Sequence, residues 1–253
     1  MNPRRAQRLT RLTDALSRGG SLRLAEAARL CGVSEMTVRR DLAASDGSLM
    51  LMGGHLVRAD DPRYAPAYDL AAQQDSHYGA KRRLCQRAAD FIEPGDTLFI
   101  DCGTTLMPLA GLLADKGELT VVTYALNVAN AVSSLPGVRL VLLGGLYHGS
   151  SQTFADDGMG EAIRRLGINR AFLSAAGVHA ERGVSCFHFH EVAPKQGAIA
   201  SADQRLLVVD ESKLGVIRPA YFAALADFDV VITEGNTRLE LPKGAPGPRI
   251  TAA

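Results

Sequence analysis

The stretch LFIDCGTTLMPLAG, residues 98–111, decides how this chain is to be folded. An apolar run closes on Asp101, then Gly103, Thr104 and Thr105 lead into residues of helical composition. A buried strand, a short turn and a helix are the repeating unit of a parallel α/β sheet. Glycine permits close backbone approach at such a turn, while a helix start and two hydroxyls offer donors to a phosphate. A turn whose threonines only cap the helix has the same local sequence, so the stretch does not separate binding from capping by itself.

Outward from it the same alternation continues. TLFID (97–101), LTVVT (119–123), VRLVLL (138–143), RAFLSA (170–175), RLLVVD (205–210) and DVVIT (229–233) read as buried strands. Helical stretches such as KRRLCQRAADFI, TLMPLAGLLAD and GMGEAIRRLG lie between them. Near-continuous apolar strands alternating with helices predict a parallel sheet covered on both faces. Ligands of such sheets gather beyond the carboxyl ends of the strands. Two further loops fall at equivalent ends: Gly144 and Gly145 follow VRLVLL, and DESKLG (210–215) places Lys213 where it meets an anion. The three loops are expected to converge on one rim.

The first 58 residues are different in character. They hold ten arginines, no lysine and five acidic residues, a surplus of +5, whereas the remainder carries 18 basic and 22 acidic residues, a deficit of −4. A basic head on an acidic body points to a polyanionic partner for the head. RRAQRLTRLTDALSRGG predicts a helix with Leu9, Leu12 and Leu16 inward, ended by Gly19–Gly20. SLRLAEAARLCG predicts a second, N-capped near Ser21 and closed by Gly32. In VSEMTVRRDLAAS, Ser34 is the N-cap of a third helix whose Val38 and Leu42 point inward. Glu35, Met36, Thr37, Arg39 and Arg40 are left on or beside the outward face. Two helices about a glycine turn, the second bearing paired arginines, have the form of a helix-turn-helix. SLMLMGGHLVR then alternates around Gly53–Gly54 as a small hairpin, the wing of a winged helix.

VSEMTVRRDL followed by a Gly-Gly hairpin resembles the N-terminal signature of the DeoR family of bacterial transcriptional regulators. DCGTT, VVTYALN, VLLGG and DESKLG resemble, in order, the sugar-phosphate-sensing half of that family, so the likeness spans roughly residues 4–235. It implies an effector domain similar in fold to ribose-5-phosphate isomerase and the coenzyme A transferases. The helix-turn-helix reading puts the N-terminal turns of the third helix at base edges, so operator contacts are expected from Ser34, Glu35, Thr37, Arg39 and Arg40. The family's wing usually carries Arg-Val-His before its glycines; here Leu51 and Met52 stand there, with His55 and Arg58 as the wing's polar residues. By the same likeness Asp101, Gly103, Thr104, Thr105, Thr123, Gly145, Lys195 and Lys213 line an effector pocket. Tyr124 and Ala125 replace the family's Asn-Ser and alter the shape of that pocket.

Turnover is a competing reading. Sugar-phosphate isomerisation needs a base beside a carbonyl, and the isomerase-like fold supplies an aspartate in a Gly-Ala-Asp stretch. This chain reads Ser174-Ala175-Ala176-Gly177 there, and alanine accepts no proton. The expectation is therefore a regulator with no catalytic residues and no cofactor. A sugar-phosphate isomerase-like enzyme with a vestigial head is the alternative, and a protein scaffold is a third. Glu191 and Lys195, four apart, are either a surface ion pair or pocket residues. His188 and His190 alternate beside Glu191, with His148 and His179 as distant further ligands; local packing outweighs zinc, so no metal is expected.

These readings divide the chain into a winged helix-turn-helix at 1–58, a linker at 59–80, an α/β sensing domain at 81–235 and a poorly ordered Pro/Gly-rich tail at 236–253. Tyr64, Tyr68 and a short helix near 68–74 belong to the linker. The expected partners are a double-stranded DNA operator, a phosphorylated sugar and a second copy of the chain, as homodimer or homotetramer. Four cysteines without a CxxC pair fit a reducing compartment. No apolar stretch reaches membrane-spanning length, so the expected location is the cytoplasm, with no membrane partner.

Overall fold

The computed structural model describes residues 3–17, 21–43, 49–52, 55–58, 77–234 and 247–253. The chain divides into two compact units, Met1–Ala67 and Tyr68–Ala253. The linker features at Tyr64, Tyr68 and 68–74, and the Gly53–Gly54 turn, lie outside the described residues.

In the first unit, α1 (Pro3–Ser17) buries Leu12 and Leu16 against Leu24, Ala27 and Ala28 of α2 (Leu24–Cys31) and Val38 of α3 (Glu35–Ala43). Gly32 ends α2 in the left-handed conformation at φ 65°, which glycine adopts without a Cβ clash. The second helix does not start at Ser21. Leu22–Arg23 instead forms a short strand, β1, and the Arg23 N–H is satisfied by Glu26 Oε2 at 3.0 Å. β2 (Leu49–Met52) and β3 (His55–Arg58) pair antiparallel as the wing, and β1 adds to β3. Leu49 and Leu56 drop into the same core. Arg8 grips Asp41 through two hydrogen bonds of 2.7 and 3.0 Å, tying α1 to α3. One of the head's arginines is thereby structural.

The first element described in the second unit is α4 (Tyr78–Ala89). Seven parallel strands follow: β4 (Thr97–Ile100), β5 (Leu119–Thr123), β6 (Val138–Leu142), β9 (Ile168–Leu173), β12 (Ala202–Val208), β14 (Val230–Thr233) and β15 (Arg249–Ala252). Their order is β15-β14-β12-β9-β4-β5-β6. The expected strands are all present, and the class is α/β. At residues 249–252 β15 corrects the expectation of a poorly ordered tail, because these pair in parallel with β14 along its length, while residues 236–246 of that tail lie outside those described. Helices α5 (Met107–Ala110), α6 (Leu126–Val132), α7 (Met159–Arg164) and α8 (Val192–Ser201) lie between the strands. A hairpin of β7 (Leu146–His148) and β8 (Thr153–Ala155), and a small sheet of β10 (Gly177–His179), β11 (Gly183–Cys186) and β13 (Ala220–Ala223), complete the sheets among the described residues of the unit.

The strand order places the site. From β4 the chain moves outward through β5 to β6, then returns to β9 on the other side of β4 and moves outward through β12 and β14. The connections leaving β4 and β9 therefore diverge, and a crevice opens between the carboxyl ends of these two strands. Asp101–Thr105 follows β4, and Ser174–Ala176 follows β9.

Candidate functional site

The cleft at this switch point is lined by Cys102, Gly103, Thr104 and Thr105 on one side and Ser174, Ala175 and Ala176 on the other. Cys186, Phe187, Glu191, Lys195 and Lys213 close it, around a space of about 480 Å³ that includes its open mouth. The loop after β4 differs from the expected long helix. Thr104–Leu106 is a single 3₁₀ turn, and α5 covers only Met107–Ala110 before Gly111. Pro108 in the first turn permits a helix start, but so short a helix adds little dipole. Positive charge at the cleft therefore comes from side chains, Lys213 and Lys195 among them.

Asp101 sits beneath the cleft floor, fully buried. Its carboxylate accepts from Lys195 Nζ at 2.5 Å, Ser174 N at 2.9 Å, Ser174 Oγ at 2.8 Å and Tyr124 OH at 2.8 Å. Burial alone would raise its pKa, yet the Lys195 ammonium and these hydrogen bonds outweigh burial and hold it below the usual carboxylate range. Lys195, 1% exposed, is kept protonated against burial mainly by Asp101, and its Nζ lies 5.1 Å from the Phe222 ring centroid. Glu191, four residues earlier, comes within 4.0 Å of the same ammonium. The Glu191–Lys195 pair is thus not on the surface. Burial pushes Glu191 up to about 7, Lys195 pulls it down and Asp101 raises it further.

Three expected pocket residues serve the frame of the site instead. Asp101 anchors Lys195 rather than lining the cleft. Thr123 is buried, donating to Ile100 O at 2.8 Å and accepting from Ala125 N at 3.1 Å. Gly145, at φ 141°, packs where a Cβ would overlap the Ala155 carbonyl beneath the β7–β8 hairpin. Gly103, Thr104, Thr105, Lys195 and Lys213 do meet at the cleft. At Gly103 the close approach is to Ser174, whose side chain a Cβ would strike. Tyr124 fills the interior and supports Asp101.

Sequence reasoning missed several residues. Ser174 clamps Asp101, Cys102 and Cys186 form apolar wall, and Lys81 of α4 donates to Thr104 Oγ1 at 3.0 Å. Lys81 lies in a run, KRR, that reads locally as a solvated face, but it is 2% exposed. Burial raises Cys102 well above its ordinary value and Cys186 to about 12, so neither thiol is a ready nucleophile.

The histidines are not arranged as a strand-borne metal site. β11 ends at Cys186, and Phe189–Glu191 is a 3₁₀ turn. His148, expected to be distant, stacks on His190 with ring centroids 3.8 Å apart, and His188 stacks on His190 at 5.1 Å. Parallel imidazole faces do not direct their nitrogens at a common ion. Among the described residues no group of three or more His, Cys, Asp or Glu is placed to hold a metal. Burial, with His148 and His188 adding to it, lowers His190 to about 4.

In the head, Ser34 caps α3: its Oγ accepts from Thr37 N at 3.3 Å and lies 2.9 Å from Thr37 Oγ1. Ser34, Glu35, Met36, Arg39 and Arg40 are exposed and Thr37 is half-buried, while Val38 is fully buried. Among the described residues Arg39 and Arg40 make no ion pair. His55 and Arg58 stand on β3, and their side chains lie outside those described.

A helix-turn-helix with an outward basic helix, joined in sequence to a switch-point cleft, defines the class of ligand-responsive DNA-binding regulators. Residues 8–54 match the DeoR-like helix-turn-helix domain and residues 76–235 match the DeoR C terminal sensor domain. The chain belongs to the DeoR family and is a DNA-binding transcriptional regulator. It is 38% identical to the deoxyribose operon repressor of Escherichia coli (strain K12), over 99% of this chain and 98% of the relative. It is 29% identical to the lactose phosphotransferase system repressor of Staphylococcus epidermidis (strain ATCC 12228 / FDA PCI 1200), over 90% and 92% of the two chains. Among solved structures, ribose 5-phosphate isomerase from Plasmodium falciparum superposes with a TM-score of 0.40 at 12% identity, over 53% of this chain and 52% of that one. Among the described residues no helix is long and apolar enough to cross a membrane.

Proposed function

We propose that this regulator represses a carbohydrate-catabolism operon and that its cleft takes a phosphorylated deoxy sugar. The observation that carries the reading is the make-up of the cleft. Lys195, Lys213, Thr104 and Thr105 offer charge and donors, while Ala175, Ala176, Cys102 and Cys186 offer apolar wall. A polar wall built for a hydroxyl rejects a ligand that lacks it, and an apolar wall does not demand one. The likeness to a deoxyribose operon repressor over nearly the whole chain supports the same ligand class. Effector contacts are assigned to Gly103, Thr104, Thr105, Lys195 and Lys213, and operator contacts to Ser34, Glu35, Thr37, Arg39, Arg40, His55 and Arg58.

The mechanism is linkage: the effector binds one arrangement of the protomers better than another, and one arrangement spaces two heads for successive half-sites. That requires a symmetric homodimer or homotetramer, acting in the cytoplasm. A thermal-shift screen tests the ligand class, because a ligand of the native state raises stability by mass action. Phosphorylated pentoses and deoxypentoses are expected to raise the Tm. A rise with unphosphorylated sugars alone would count against the anion-seeking cleft.

Glu191 favours one other reading. A buried carboxyl with a pKa of about 7 has the poise of a general base. Turnover of ribose 5-phosphate that is lost in Glu191→Gln would replace sensing with isomerisation.

A further inference from the structure

We propose that Lys81, which does not itself line the cleft, turns the hydrogen of the Thr104 hydroxyl away from α4 and so biases that hydroxyl to donate to the effector's anionic group. The inference rests on the reading that this cleft takes a phosphorylated sugar, and it names how the site is tuned for that charge.

Lys81 lies in the first turn of α4 and is 2% exposed. Its Nζ stands 3.0 Å from Thr104 Oγ1, itself in a residue only 7% exposed that lines the cleft. An ammonium has three donors and no acceptor. It must therefore occupy a lone pair of Thr104 Oγ1, and the hydroxyl's own hydrogen is turned away from Lys81. A threonine hydroxyl has one hydrogen and two lone pairs; with one lone pair taken by Lys81 and the hydrogen turned away from that ammonium, it is biased toward donating, which suits a phosphate oxygen.

The same helix holds the neighbouring residue. Cys85, one turn on from Lys81 and on the same face, directs its thiol to Thr105 O at 3.0 Å. Residues 104 and 105 are thus gripped from behind by α4, the first element described after the segment joining the two units. Lys81 is a positioning residue: it acts through Thr104.

The test is a double-mutant cycle on the full chain, with 2-deoxyribose 5-phosphate as the probe and inorganic phosphate as a second probe, read by calorimetry. Lys81→Met keeps the buried stem and removes the donor. It is expected to raise the Kd for the sugar phosphate about tenfold, as for loss of a hydrogen bond to a charged group. Thr104→Val should weaken binding similarly, and Thr104→Ser should retain it. In the Thr104→Val background, Lys81→Met should cost nothing further, because the two act as one unit. A Lys81→Met protein with lowered Tm but unchanged Kd would overturn the inference, as would an equal loss in both backgrounds. Should Lys81→Met not fold, wild-type affinity in Thr104→Val overturns it equally. If the wild-type chain binds none of the phosphorylated sugars screened above, the reading of the cleft fails as well, which is a separate result.

Discussion

The third helix of the head and the floor of the sensor cleft both concentrate charge, in opposite ways. Arg39 and Arg40 project from α3 into solvent, while Val38 between their turns carries the packing. Asp101, Lys195 and Glu191 are withdrawn from water and joined to one another, to Ser174 and to Tyr124. Charge at a solvent-facing helix is available to a partner and costs the fold little. Charge in a dry floor is a structural element before it is a binding element, since removing one partner strands the other. The two regions should therefore respond to mutation in opposite ways: affinity without stability at the exposed arginines of the head, stability before affinity in the sensor floor.

The sharpest way to break that contrast is Asp101→Asn. The Lys195 ammonium would lose its closest counter-charge and keep only Glu191, at 4.0 Å, and breaking a buried pair costs about 3–5 kcal/mol. Chemical denaturation should show the loss. A variant as stable as wild type would mean that the pair is solvated in solution and that the floor is not dry.

Glu191→Gln tests the same floor through pH. The folded carboxyl titrates at about 7 against an ordinary value of 4.5, so between those values the folded state holds a proton that the unfolded state has released. Folding stability attributable to Glu191 therefore falls as pH rises across that window, by about 1.4 kcal/mol per pH unit at most. Glu191→Gln should lose this slope and gain on wild type from pH 5 to pH 7. Parallel Tm-versus-pH curves for the two proteins would contradict it. His190 contributes with the opposite sign, since its lowered pKa removes stability as pH falls from 6.5 toward 4, and subtracting the two proteins cancels that contribution.

In the head, Arg39→Ala with Arg40→Ala should weaken operator binding by about 1–3 kcal/mol for each base edge that an arginine no longer reaches. Unfolding stability should move by less than about 0.5 kcal/mol, as for other exposed positions. Loss of fold in this variant would erase the contrast between the regions. The smallest effect is expected at Ser34→Ala. Removing the hydroxyl that accepts from Thr37 N should cost about 1 kcal/mol of head stability, measured by denaturation.

The sequence made the frame legible because parallel strands are buried on both faces and read as unbroken apolar runs such as LTVVT and DVVIT. It made the head legible because Ser34, Val38 and the two arginines fall at spacings that only a capped helix satisfies. It hid what depends on distant contact. Lys81 belongs to a run of cations, and nothing local says that one of them turns inward to Thr104, 23 residues away. Ser174 and Asp101 are 73 residues apart and meet only because β9 returns beside β4. Thr123 carries a motif resemblance, but its hydroxyl is consumed by the Ile100 carbonyl. β15 escaped notice because RITA is short, follows a Pro/Gly-rich run and becomes a strand only on meeting β14. His148 joined the other histidines because the β7–β8 hairpin carries it there.

The most direct test of the account is fluorescence anisotropy of the full chain on labelled DNA from upstream of its own operon, titrated with 2-deoxyribose 5-phosphate and, separately, with 2-deoxyribose. An anion-seeking cleft linked to the head predicts that the phosphorylated sugar shifts operator affinity and that the free sugar does not. Equal shifts with both sugars, or none with either alongside tight operator binding, would contradict it.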